Sequence, residues 1–104
     1  MTPEATSSAA AAVVELHGVY DIARAREFHA QALEWCESTG DLVLDCAGAE
    51  RTDTSAVQIL LALKGAVEGK GRRFELRNVP NPVLTFWTSI GAAVPLGAAC
   101  GDSR

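Results

Sequence analysis

The sequence predicts an α/β domain, a small, mostly parallel sheet with helices packed on it, and three observations lead there. Short runs of β-branched or aliphatic residues alternate along the chain with longer stretches of helical periodicity, the order that builds β-α-β units. The helical stretches open on Asp21, Asp53 and Asn81, side chains that accept hydrogen bonds from the unpaired N–H groups of a first helical turn. A length of 104 residues suits one domain with one core, and 48% hydrophobic residues with 6% aromatic describe aliphatic side chains closely packed between helices and sheet.

The first strand is written by Val13-Val14-Glu15-Leu16-His17, with Gly18 expected to end it in a turn. Asp21 then caps a helix over 22–38, whose apolar positions Ile22, Ala25, Phe28, Ala32 and Trp35 share one face. Arg24, Glu27, Gln31 and Glu34 mark the opposite face, and Gly40 closes the helix. Leu42-Val43-Leu44 follows as a buried parallel strand, with 45–52 expected as a loop.

Asp53 caps the second helix, over about 55–68. Val57, Ile59, Leu60, Leu61, Leu63 and Val67 cover most of its circumference, so it is expected to be largely buried. Gly69 and Gly71 flank its end, and Phe74-Glu75-Leu76-Arg77 alternates with the period of a strand. Pro80-Asn81-Pro82 restarts the chain as a helix with Asn81 as N-cap and Val83, Phe86, Trp87 and Ile90 as its apolar stripe. Domain boundaries follow: 1–11 as a flexible leader or short edge strand, 12–92 as the domain, 93–104 as a fraying tail.

Composition excludes several function classes. A net charge of −4 provides no basic face for a phosphate backbone, so nucleic acid is not an expected partner. Residues 1–12 carry no signal-peptide core, and no later apolar run reaches the roughly 18 residues a spanning helix needs, so a cytoplasmic protein without membrane insertion is expected. Cys36, Cys46 and Cys100 are too far apart for a metal knuckle and are read as reduced thiols.

His17 and His29 stand without a nucleophile or ligand partner at a recognisable spacing. Asp45 and Asp53 flank one expected loop, where acids ordinarily accept backbone hydrogen bonds; an acid/base or metal role for them is the remote alternative, together with a reactive cysteine. The glycine fingerprint of dinucleotide sites, the phosphate-binding P-loop and the nucleophile-elbow serine are all missing, so no cofactor and no catalytic residue is expected. Lys70-Gly71-Arg72-Arg73 reads as a solvated basic turn.

What stands out is Thr52-Asp53-Thr54-Ser55-Ala56, two hydroxyls beside a capped helix start at the carboxyl end of a strand. Ser55, Gln58, Ala62, Gly65 and Gly69 recur at helical spacing behind it, a strip of small or polar residues that another protein can approach closely.

These segments together resemble a STAS domain, the fold of bacterial anti-sigma-factor antagonists and related regulatory modules. The resemblance runs from Val13 to about Gly91. It rests on Leu16-His17-Gly18-Val19-Tyr20-Asp21, on Leu42-Val43-Leu44-Asp45, on Asp53-Thr54-Ser55-Ala56-Val57-Gln58-Ile59-Leu60-Leu61, and on Arg77-Asn78-Val79-Pro80-Asn81-Pro82-Val83. Ala56 stands where the family usually has glycine.

The resemblance implies a mixed or mostly parallel sheet of about four strands and a non-catalytic module for signal transduction and transcription regulation. It implies a protein partner, either an anti-sigma factor with serine kinase activity, a signalling scaffold or, alternatively, the ATPase of an ABC-type lipid or solute transporter. It places the phosphorylated hydroxyl of the antagonists at Thr54, with Ser55 its neighbour. The partner surface is then expected over Asp53, Thr54, Ser55, Gln58, Ala62 and Gly65.

Overall fold

In the computed structural model, which describes residues 12–98, the chain runs β1 (Ala12–Tyr20), a 3₁₀ turn (Ile22–Arg24), α1 (Ala25–Glu37), β2 (Leu42–Thr52), α2 (Thr54–Gly69), β3 (Phe74–Arg77), α3 (Asn81–Ser89) and α4 (Ala93–Leu96). The β-α-β order dictates parallel pairing, and the sheet is β1-β2-β3 with both neighbouring pairs parallel. The described residues thus hold three strands where about four were expected; the strand or leader anticipated in 1–11 lies outside them.

Val14 is paired with Leu44, and Leu44 with Leu76, so one sheet face is a continuous apolar layer that also carries Leu16, Leu42, Cys46 and Phe74. All helices contribute to that layer: Phe28 and Ala32 from α1, Val57, Leu60, Leu63 and Val67 from α2, Val83 and Trp87 from α3, Ala93 and Leu96 from α4. The other face presents Val13, Glu15, His17, Glu75 and Arg77 to solvent. Trp87 Nε1 donates to Thr52 Oγ1 at 2.8 Å, which satisfies the one polar side chain among the buried residues described.

Two expectations about strand ends are corrected. Gly18 does not stop β1, and 45–52 is strand rather than loop. Between Glu15 and His17, and again between Gly18 and Val19, the register slips, so that β2 carries extra residues opposite β1. These bulges let a stretch of modest β-propensity, Cys46 to Thr52, stay hydrogen-bonded to β1. Gly18 takes a φ of +82°, the conformation a bulge demands there. Gly48 has no room for a side chain: a Cβ would come within 2.8 Å of the Leu16 carbonyl oxygen.

Three helix expectations also change. The α-helix proper begins at Ala25, and the 3₁₀ turn before it swings Ile22 off the apolar stripe to 74% exposure. Pro80, not Asn81, precedes the first helical residue of α3, because the Pro82 ring suits the first turn and draws Asn81 into it. The tail expected to fray from Ala92 instead folds as α4, where Ala92 and Ala93 fit closely against the core and Leu96 anchors it; residues 99–104 lie outside the described chain.

Candidate functional site

The carboxyl end of β2 delivers Asp53 in extended backbone, φ −116° and ψ −172°, with its N–H donating to the Tyr20 carbonyl at 3.1 Å. That bond fixes the end of β2 against the end of β1. Asp53 Oδ1 then accepts from Ser55 N at 2.9 Å, from Ala56 N at 3.3 Å and from the Ser55 hydroxyl. Oδ2 reaches across to accept from Ile22 N at 2.9 Å, so one carboxylate ties down the entries to both α2 and the 3₁₀ turn before α1. These donors, the Ser55 hydroxyl foremost, hold its carboxyl below the usual carboxylate range, against a smaller opposing effect of burial.

Asp21 repeats the arrangement, with φ −116°, ψ −174° and its side chain accepting from Ala23 N at 3.1 Å. Arg24 braces the same turn. Its Nη1 donates to the carbonyls of His17 at 2.8 Å and Val19 at 3.3 Å while its guanidinium lies 4.2 Å above the Tyr20 ring. The Tyr20 hydroxyl accepts from His17 N at 2.9 Å, and its ring packs on Phe28 at 4.8 Å.

The two hydroxyls of the turn are chemically unequal. Ser55 is half-buried with its proton committed to Asp53, whereas Thr54 is exposed and, among the described residues, no hydrogen bond engages its hydroxyl. Ala56 is fully buried in helical backbone, so nothing at that position requires glycine and its methyl adds to the core.

Behind the turn, Gln58, Ala62, Gly65 and Gly69 are all exposed. Ser55, Gln58 and Ala62 form one wall of a depression of about 470 Å³ whose other wall is Ala25, Arg26 and His29 of α1, with Ile59 between them. Gly65 and Gly69 lie outside it, and a Cβ at either would meet nothing within 4 Å. On the other side of the turn, Asp53 shares a second depression, about 450 Å³, with Arg51, Pro82 and Phe86. The turn is therefore a rim between two concave surfaces.

The remaining candidates do not assemble. Asp45 accepts from Ala47 N at 3.0 Å and Asn78 Nδ2 at 3.3 Å, which lower its pKa, and it sits on β2 eight positions before Asp53, which follows the last residue of that strand. At about 3.3 Å per residue the two carboxylates are on the order of 20 Å apart, beyond any shared proton or ion. Burial, with help from Asp45, pushes the Cys46 thiol up to about 12, so it is not a nucleophile at neutral pH. His17 and His29 are both exposed, His17 with Nε2 3.4 Å from Glu15. Among the described residues no three His, Cys, Asp or Glu side chains converge for a metal, and no helix is long and apolar enough to cross a membrane. Cys100 lies outside the described residues.

Sequence reasoning missed the α1 wall. Arg26 was not singled out and His29 was read only as a solitary imidazole, yet a signal was available: a parallel β-α-β-α order places consecutive helices side by side on one sheet face. It also misread the basic turn. Arg72 Nη1 and Nη2 donate to the Cys36 and Trp35 carbonyls at 2.9 and 3.2 Å, and its Nε to the Gly40 carbonyl, while Lys70 Nζ reaches the Cys36 carbonyl at 2.7 Å. These cations close the C-terminal end of α1.

A family model described as "Mlab, STAS domain" matches residues 4–96. No curated protein matches the chain.

Proposed function

The chain belongs to the STAS domain family, regulatory modules that work through protein–protein interaction and are generally non-catalytic, and from that premise we propose that it docks on a kinase-like or scaffold partner through the Asp53-Thr54-Ser55 turn, with Thr54 as a phosphorylation switch. The observation that carries the proposal is the inequality of the two hydroxyls: Ser55 is held by Asp53 and Thr54 faces solvent. A kinase would transfer the γ-phosphoryl group of ATP to Thr54 Oγ1, with ADP leaving and the hydroxyl proton released to solvent.

The physical effect of that transfer follows from the cap. The N–H groups of Ser55 and Ala56 are already committed to Asp53, so the phosphate gains little from the helix start and places a charge near −2 beside an ionised carboxylate. The fold keeps its cap, and the rim between the two depressions becomes strongly anionic. A partner seated on the unphosphorylated rim is expelled by the added charge and bulk. Gln58, Ala62 and Gly65 extend the same docking surface along α2.

Intact-mass measurement after incubation with a candidate kinase and ATP tests the switch. The expected result is one phosphate on wild type and on Ser55→Ala, and none on Thr54→Ala. An equal gain on Thr54→Ala, or no gain on wild type, removes Thr54 from the proposal. A second reading, an accessory subunit seated on a transporter ATPase, uses the same turn without phosphate chemistry; threonine rather than the antagonists' commoner serine at position 54 favours it.

A further inference from the structure

The depression beside the turn does not end at Ala62. A second hollow of about 170 Å³ shares His29, Ile59 and Ala62 with it and continues past Leu33 and Cys36 to Ala66, so the two form a single trough between α1 and α2. From Ser55 to Ala66 it follows α2 for about 16 Å, three helical turns. Arg26, Ser55 and Gln58 line its head and His29 both hollows, the remaining residues are apolar or small, and Leu33 on its wall is 53% exposed. The chain carries a net charge of −4, yet no acid lines the trough; Arg26 is its one full charge and makes no ion pair among the described residues.

We infer that this trough receives an amphipathic helix of the partner protein, apolar face inward, with an acidic residue set against Arg26. The inference rests on the reading of the chain as a docking module and specifies the shape and charge of what docks. Both walls are helices whose backbone groups are internally bonded, so an extended peptide has no edge to pair with, whereas a helix brings its own backbone bonds. Ala25, Ala62 and Ala66 allow axis separations of about 8 Å, at the close end of helix packing. Apolar burial of Leu33 and Ile59 supplies affinity, while Arg26 selects sign and orientation.

The test uses two fluorescein-labelled, helix-constrained peptides of about fourteen residues, slightly longer than the trough. They share one Leu/Ala stripe and differ only in flanking Glu or Lys. Fluorescence anisotropy at low salt is expected to show saturable binding of the acidic peptide, about fivefold tighter than the basic one. Arg26→Glu inverts that preference and Ala62→Trp, which fills the trough, abolishes binding of both, with far-UV circular dichroism confirming that each variant is folded.

The inference is overturned if the acidic peptide does not saturate at millimolar protein, or if Arg26→Glu leaves the preference unchanged. Concentration-dependent dimerisation that Ala62→Trp abolishes would assign the trough to a second copy of the chain and overturn it equally. If Arg26→Glu inverts the preference while Thr54→Glu leaves acidic-peptide affinity unchanged, the trough stands and the switch at Thr54 falls.

Discussion

Replacing Asp53 by alanine removes acceptors for Ser55 N, Ala56 N, the Ser55 hydroxyl and Ile22 N in one step. Loss of an N-cap side chain costs about 1–2 kcal/mol. The Ile22 amide is exposed and turns to water, so it adds only tenths. For a domain of this size 1 kcal/mol corresponds to about 4–8 °C, so Asp53→Ala is expected to lower Tm by roughly 5–15 °C in thermal unfolding followed by circular dichroism. Asp53→Asn keeps an amide oxygen as cap but forfeits the charge, and should lose about 0.5–1 kcal/mol at neutral pH. The pH dependence has a definite sign. Because the folded carboxyl is held below its unfolded value of about 3.9, the ionised form adds stability above that pH and the gain disappears as pH falls through the lower, folded value. The gap between wild type and Asp53→Asn should therefore be full at pH 6 and close on acidification below pH 4. A gap that widens with acid, or an Asp53→Ala variant within 0.5 kcal/mol of wild type, would refute the picture of Asp53 as the shared tie between two helix entries.

The closure of α1 by a distant cation is open to an equally direct measurement. Arg72→Met keeps the aliphatic stem and removes the donors to the Trp35, Cys36 and Gly40 carbonyls, so urea unfolding should show a loss of about 1.5–3 kcal/mol; a loss below 0.5 would return the basic turn to a solvated role. In the core, Trp87→Phe strands the buried Thr52 hydroxyl and should cost about 2–4 kcal/mol, counting the lost volume. Adding Thr52→Val should recover part of that cost, since neither polar partner then remains; a double variant whose losses simply add would mean the hydrogen bond is not made.

How much of this molecule was legible in its residues depends on the range over which each feature is decided. Asp21 and Asp53 as helix starts, the apolar faces of α1 and α2, the alternation in Phe74 to Arg77 and the parallel β-α-β order were all readable, because capping and periodicity involve residues two to four positions apart. The strip from Gln58 to Gly69 followed from the same helical spacing, whereas Thr54 was singled out by the family resemblance. Ile22 was misplaced because a single 3₁₀ turn rotates the first residue off a stripe that otherwise holds.

The far half of β2 was not readable. Cys46-Ala47-Gly48-Ala49 has no strand period of its own, and only pairing with β1 through two bulges makes it a strand. Folding also joined Asp53 to Ile22, 31 residues away, and Arg72 to Cys36, 36 residues away, and it raised α1 beside α2 to make the trough. The residues by themselves determined where α1, α2 and α3 and the central parts of the three strands lie, and that Asp53 caps a helix. The tertiary structure alone decided that this aspartate ties two elements together, and that its turn forms the rim of a groove, because contacts across tens of residues leave no periodic trace in the chain.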